Sequence, residues 1–176
     1  ASIEVCLLSS AAAGSATPIC QQTDVIAAPI EVVFGTSGSL NDNGTTFATA
    51  LVSGTELAAD LRVEVEIDHP RISDLQLRLL SAEGEQIILH NSGSGSGLHA
   101  IYWQPAPLAQ APYNVGASMR PTGPGSLIDL CTSTPAGEWT LEIEDQVAGE
   151  TGILVAWSLY FFDVPPAYLP APDLIA

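Results

Sequence analysis

Residues 137–161 read GEWTLEIEDQVAGETGILVAWSLYF, and the fold follows from how this stretch is divided. Trp139, Leu141 and Ile143 alternate with Thr140, Glu142 and Glu144, and Val155, Trp157, Leu159 and Phe161 alternate with Ala156, Ser158 and Tyr160. Successive side chains of a strand point to opposite faces, so each apolar set lines one face of a sheet. Between the two sets, residues 145–152 (DQVAGETG) gather acids and glycines, as a turn with special backbone angles requires. Two strands around one loop are predicted. Trp139 and Trp157 fall in phase with the inward positions, which favours core packing over sugar stacking.

The same period recurs upstream. In residues 57–67, Leu61, Val63, Val65 and Ile67 point one way while Arg62, Glu64 and Glu66 point the other, the mark of an antiparallel strand with one wet face. Residues 30–34 (IEVVF) and 46–51 read as further strands. Residues 75–80 and 86–90 bracket Ser81-Ala82-Glu83-Gly84-Glu85, a hairpin loop whose glycine supplies the unusual angle. Asn41-Asp42-Asn43-Gly44 is a tight-turn signal, because Asn and Gly accept positive φ; the glycosylation sequon Asn43-Gly44-Thr45 overlaps it. Residues 91–97 (NSGSGSG) read as a flexible loop, and residues 104–125, rich in proline, alanine and glycine, as irregular. No segment carries a sustained helical period with caps. Short strands separated by turn signals indicate an all-β sandwich.

Composition sets the outer limits. The 176 residues suffice for one domain with a sizeable core, and 47% hydrophobic residues exclude a mostly disordered chain. Twenty acids stand against four arginines and no lysine, a formal net charge of −16. Such a surface repels phosphate backbones, so no nucleic-acid partner is expected. No apolar run reaches the length of a membrane span, which excludes membrane insertion through a helix. With no basic segment preceding an apolar one at the start, any signal peptide is expected to lie outside this sequence, and a secreted or cell-surface location is expected. The acid excess suits solubility in such a setting, with cation binding by part of it as an alternative.

Three cysteines give an odd count. A Cys6–Cys20 disulfide is the natural expectation in a secreted chain and would stabilise by roughly 3 kcal/mol. Cys131 is then left over, buried as a small apolar residue or paired outside the chain, although a bridge from Cys131 to the N-terminal region stays open. Of the three histidines, His69 opens a loop and is expected to make structural hydrogen bonds, while His90 and His99 are expected to be partly exposed. Glycine occupies the position in residues 92–97 where a nucleophile elbow needs serine, and no zinc, phosphate-loop or dinucleotide motif occurs. Trp103, beside Tyr102 in a variable region, is the aromatic expected to be exposed and available to a glycan or partner. Asp68, Asp74, Asp145 and Glu150 lie at strand ends, where calcium takes its hard oxygen ligands. The competing reading has Asp74 and Asp145 accepting backbone N–H bonds that hold the turns, with Arg71 as ion-pair partner.

Taken in order, His69, Arg71, Asp74-Leu75, then Gly137, Trp139, Leu141, Ile143, Asp145, then Gly152, Leu154, Trp157 and Leu159 resemble the P domain, or P/Homo B domain, of kexin- and furin-like proprotein convertases and secreted bacterial subtilases. The resemblance covers residues 39–163. It implies a galactose-binding-like jelly-roll β-sandwich, with residues 31–163 as that domain, residues 1–30 as an N-terminal extension or extra hairpin, and residues 164–176 (VPPAYLPAPDLIA) as a proline-rich tail or linker. It further implies a non-catalytic accessory domain of a subtilisin-like serine protease. Such a domain packs on the catalytic subtilase domain of the same parent chain, supports its folding, and adjusts its calcium and pH dependence. The subtilase triad motifs are absent, so the chain itself is not expected to be a protease. Residues 127–135 (LIDLCTSTP) depart from the aromatic-glycine turn found there in many bacterial P domains. An adhesion or carbohydrate-binding module of a multidomain surface protein is the alternative from another functional class.

Overall fold

The computed structural model describes residues 3–7, 19–23, 28–54, 56–91, 93–108 and 113–163; the tail expected at 164–176 lies outside them, as does Ser92 of the glycine-serine loop. In chain order the strands are β1 (Ile3–Leu7), β2 (Ile19–Thr23), β3 (Glu31–Phe34), β4 (Gly38–Ser39), β5 (Thr45–Val52) and β6 (Asp60–Asp68), then β7 (Leu75–Leu80), β8 (Gln86–Asn91), β9 (Leu98–Tyr102), β10 (Ala117–Met119), β11 (Gly137–Asp145) and β12 (Ile153–Phe162). One sheet runs β10-β9-β6-β12-β3, with β4 also paired to β12. The other runs β5-β11-β7-β8. The two face each other as the expected jelly-roll sandwich. Within residues 1–30, β1 and β2 form an antiparallel pair whose register sets Cys6 opposite Cys20.

The alternation read from the sequence produces the core. Leu61, Val63, Val65 and Ile67 of β6 meet Leu75, Leu77 and Leu79 of β7 and Trp139, Leu141 and Ile143 of β11, all buried. Each such side chain contributes roughly 1.5–3 kcal/mol when fully removed from water. Trp139 meets Phe161 of the opposite sheet edge-on at 5.5 Å, and its indole N–H donates to the Pro135 carbonyl at 2.7 Å. Trp157 is buried as expected and donates to the Thr36 carbonyl at 3.1 Å. Two turns also behave as read. Asn43 has φ +48°, and Gly84 has φ +86° in the β7–β8 hairpin.

Other expectations are corrected. A register shift between Leu154 and Ala156, where β12 pairs with β6, turns Leu154 inward and leaves Val155 outside, against the predicted phase. A bulge inserts one residue and reverses every later position. The strand predicted over 57–67 begins at Asp60. Arg62 does leave the sandwich on the outer face, yet Trp103 and Phe162 fold over it and bury it. The loop after β8 leads into β9, and β10, inside the stretch read as irregular, pairs with β9 in parallel. Over residues 127–135 a short 3-10 turn (Asp129–Cys131) follows Leu127, and Leu127, Leu130 and Cys131 are buried.

Candidate functional site

The sequence motifs converge at one end of the sandwich, where three connections meet: the turn before β5, the β6–β7 connection and the β11–β12 loop. Hydrogen bonds between them join residues far apart in the chain. The Asp42 carboxylate accepts the Gly149 N–H at 2.9 Å, Asp145 N–H donates to the Gly44 carbonyl at 2.9 Å, and Gln146 N–H donates to the Asp74 carbonyl at 2.9 Å. Gly152 passes so close to the β6–β7 connection that a Cβ there would lie 2.6 Å from both the Asp68 carbonyl and His69 Cδ2. That approach, rather than an unusual φ, is why the position requires glycine.

His69 is buried at the centre of this junction. The Arg71 N–H donates to His69 Nδ1 at 3.1 Å, and Nε2 lies 3.5 Å from Asp145 Oδ2. Nδ1 also lies 2.9 Å from the Arg71 carbonyl, so the Arg71 backbone holds that edge of the ring while Nε2 faces the carboxylate. Asp145 Oδ1 also accepts the Val147 N–H at 3.1 Å, so this side chain holds the start of the β11–β12 loop. Arg71 reaches Asp74 Oδ2 at 3.6 Å and Glu150 Oε2 at 3.2 Å, and the Glu150 carboxylate, more than Asp74, raises its pKa. Asp74 also accepts the Ser73 hydroxyl at 3.0 Å.

The structure thus brings Asp74, Asp145 and Glu150 to one end, where Arg71 is shared by Asp74 and Glu150 while Asp145 holds the Val147 N–H and stands beside His69. Asp68 stands apart, exposed on a groove of about 300 Å³ that Glu66, His99, Asn114 and Val155 also line. Among the described residues no group of three or more His, Cys, Asp or Glu side chains is arranged to hold a metal ion.

Three charged or titratable groups that matter were not singled out in the sequence, or were placed wrongly. Asp60 is fully buried and accepts the Trp103 indole N–H at 2.9 Å, with Arg62 Nε 3.7 Å away. Burial pushes its carboxyl up to about 6, against the opposing effects of Trp103 and Arg62. Arg62 Cζ lies 4.6 Å from the ring centroids of both Trp103 and Phe162, a cation–π clamp. Trp103, expected on the surface, is therefore an interior residue. His90, expected to be partly exposed, is fully buried with neither ring nitrogen hydrogen-bonded, and burial pulls it down to about 4. His99 is on the surface as expected. It pairs with Glu64 at 3.2 Å, and the Tyr160 hydroxyl donates to the same carboxylate at 2.7 Å.

Chemically, this is a set of structural contacts. His69 is spent on backbone and Asp145, and His90 is sealed in. Burial pushes the Cys131 thiol up to about 12, far from a reactive thiolate at neutral pH. All three tryptophans are buried. No helix among the described residues is long and apolar enough to cross a membrane.

Comparison with known proteins agrees with the motif order. The family model of the proprotein convertase P-domain matches residues 58–161. No curated protein matches the chain. Among solved structures, the crystal structure of a serine protease of Aeromonas sobria is similar at 18% identity and TM-score 0.46, over 76% of this chain and 27% of that one. The Aeromonas sobria serine protease in complex with its chaperone gives 20% identity and TM-score 0.47, over 76% of this chain and 28% of that one. The chain therefore spans little more than a quarter of the length of these solved relatives.

Proposed function

Because the chain belongs to the proprotein convertase P-domain family, we propose that it is the non-catalytic accessory domain of a secreted subtilisin-like serine protease, docked on the catalytic domain and supporting its folding and stability. The observation that carries this reading is the use made of the family's own polar residues. His69, Arg71, Asp74 and Asp145 are engaged with one another and with the backbone, which suits a scaffold. A domain of this kind acts by burying part of its partner's surface, so that the fused pair unfolds less readily than either part. Adjustment of the pair's calcium and pH dependence belongs to the same proposal. Neither Trp103, Trp139 nor Trp157 offers an exposed platform, which weighs against the carbohydrate-binding alternative.

The test is production of the parent protease with and without this chain. Active protease is expected to fall when the chain is removed, while the purified chain cleaves neither peptide nor ester substrates. A catalytic domain that is as abundant and as heat-stable alone, or turnover that co-purifies with the isolated chain, overturns the reading.

A further inference from the structure

Three of the most exposed large apolar side chains fall on the two edge strands that close one side of the sandwich: Phe34 (76% exposed) on β3, and Leu51 (73%) and Phe47 (64%) on β5. These edges belong to different sheets and run side by side in opposite directions. At one end Glu31 accepts the Ser53 and Gly54 N–H groups at 3.0–3.1 Å, and at the other Thr36 N–H donates to the Thr49 carbonyl at 2.9 Å. That register sets residue 34 beside residue 51, with residue 47 farther along the same face of β5. A seam with aromatic and leucine side chains turned to water is a liability in a free domain and an asset at an interface.

The rim specifies the partner. Glu138 stands directly across from Leu51 in the β5–β11 register and Glu31 flanks the seam from β3, while Glu142, across from Phe47, is already paired with Arg78. Apolar centre and acidic rim call for a surface with an apolar centre and basic rim. A second copy of this chain, at net charge −16, meets the same acids and is disfavoured.

We propose that the β3–β5 seam, centred on Phe34 and Leu51, is the face that docks on the catalytic domain, through an apolar contact ringed by basic side chains on that domain. This rests on the proposed function and deepens it. The test uses the parent protein and this chain alone, each with Phe34→Ser/Leu51→Ser, with Glu138→Lys, and with the control Val115→Ser. Docking raises this chain's melting transition in the parent above its value in isolation. Both seam variants are expected to abolish that rise and the control to keep it, while the isolated chain melts alike in every version. High salt is expected to shrink the rise in the wild type.

A rise that survives Phe34→Ser/Leu51→Ser and Glu138→Lys overturns the assignment of this face and leaves the accessory function standing. A wild-type parent in which this chain melts as it does alone removes both. Concentration-dependent dimers of the isolated chain that Phe34→Ser/Leu51→Ser dissolves identify the occupant as a second copy and also overturn the proposal. If the double substitution unfolds the isolated chain, Glu138→Lys, which leaves the apolar residues in place, decides alone.

Discussion

His90 makes a sharp prediction about acid stability. Its imidazole is fully buried on β8, edge-on to Tyr113 at 5.4 Å and packed against Gly93, with no hydrogen bond at either nitrogen. Burial alone sets its titration, to about 4 against 6.5 for the free side chain; no neighbouring carboxylate offsets it. Because the folded pKa is the lower one, the unfolded chain takes up a proton as pH falls through 6.5 while the folded chain does not until about 4. Stability is therefore lost between those values, by about 3 kcal/mol in all. Asp60 works in the opposite sense. Its folded pKa of about 6 exceeds the ordinary 3.8, so its contribution is present below 3.8 and lost as pH rises through 6. The two trends oppose each other in the wild type, so the informative quantity is the difference between wild type and His90→Leu. Denaturant unfolding at pH 7 and at pH 4 is expected to show that difference shifting by about 3 kcal/mol in favour of the variant, or roughly 6–12 °C in melting temperature for a chain of this size. A difference that stays constant between the two pH values refutes the argument.

Trp157→Ala is expected to cost roughly 3–5 kcal/mol, as for a large aromatic removed from a packed core, and a melting temperature within a degree or two of wild type would contradict its placement. Chelator at fixed ionic strength is expected to leave the melting curve unchanged, because Asp74, Asp145 and Glu150 already have partners, while Asp145→Asn still destabilises through weakened bonds to Val147 and His69; a chelator-sensitive curve that Asp145→Asn makes insensitive would instead establish a calcium site. Thiol counting in denaturant without reductant is expected to find one reactive thiol, Cys131, if Cys6 and Cys20 are bridged as their opposed register suggests, and in native buffer none; three thiols in denaturant would remove the bridge.

Where polar and apolar residues alternated cleanly, as in Asp60–Asp68 and Gly137–Asp145, the sequence showed both the strand and its inward face, and both agree with the structure. The prediction failed where that contrast was missing. Residues 153–157 (ILVAW) are all apolar, so nothing marked the bulge that expels Val155. Arg62 is on the face its position dictates, but its burial depends on Trp103 and Phe162, remote residues that no local pattern links to it. His90 sits where strand alternation with Ile88 would put both on the same face, and a register shift between Leu77 and Arg78 in the β7–β8 pairing separates their fates. At the loop end, residue types and spacing revealed which side chains mattered. That Glu150 shares Arg71 with Asp74, and that Asp145 stands beside His69 instead, depends on distances between three connections and was not legible.

The position of β12 governs when this domain can come into being. Among the described residues the strand latest in the chain, β12, is the one that lies between β6 and β3 and also receives β4. Until residue 162 has left the ribosome, β3 and β6 have no strand to join them and the core lacks Trp157, Leu159 and Phe161. Partial products thus cannot fold stepwise from the N-terminus; they wait, with apolar strands uncovered, for a single late closure. Termination or nicking ahead of Ile153 consequently removes the strand that joins β3 to β6 and three core side chains at once.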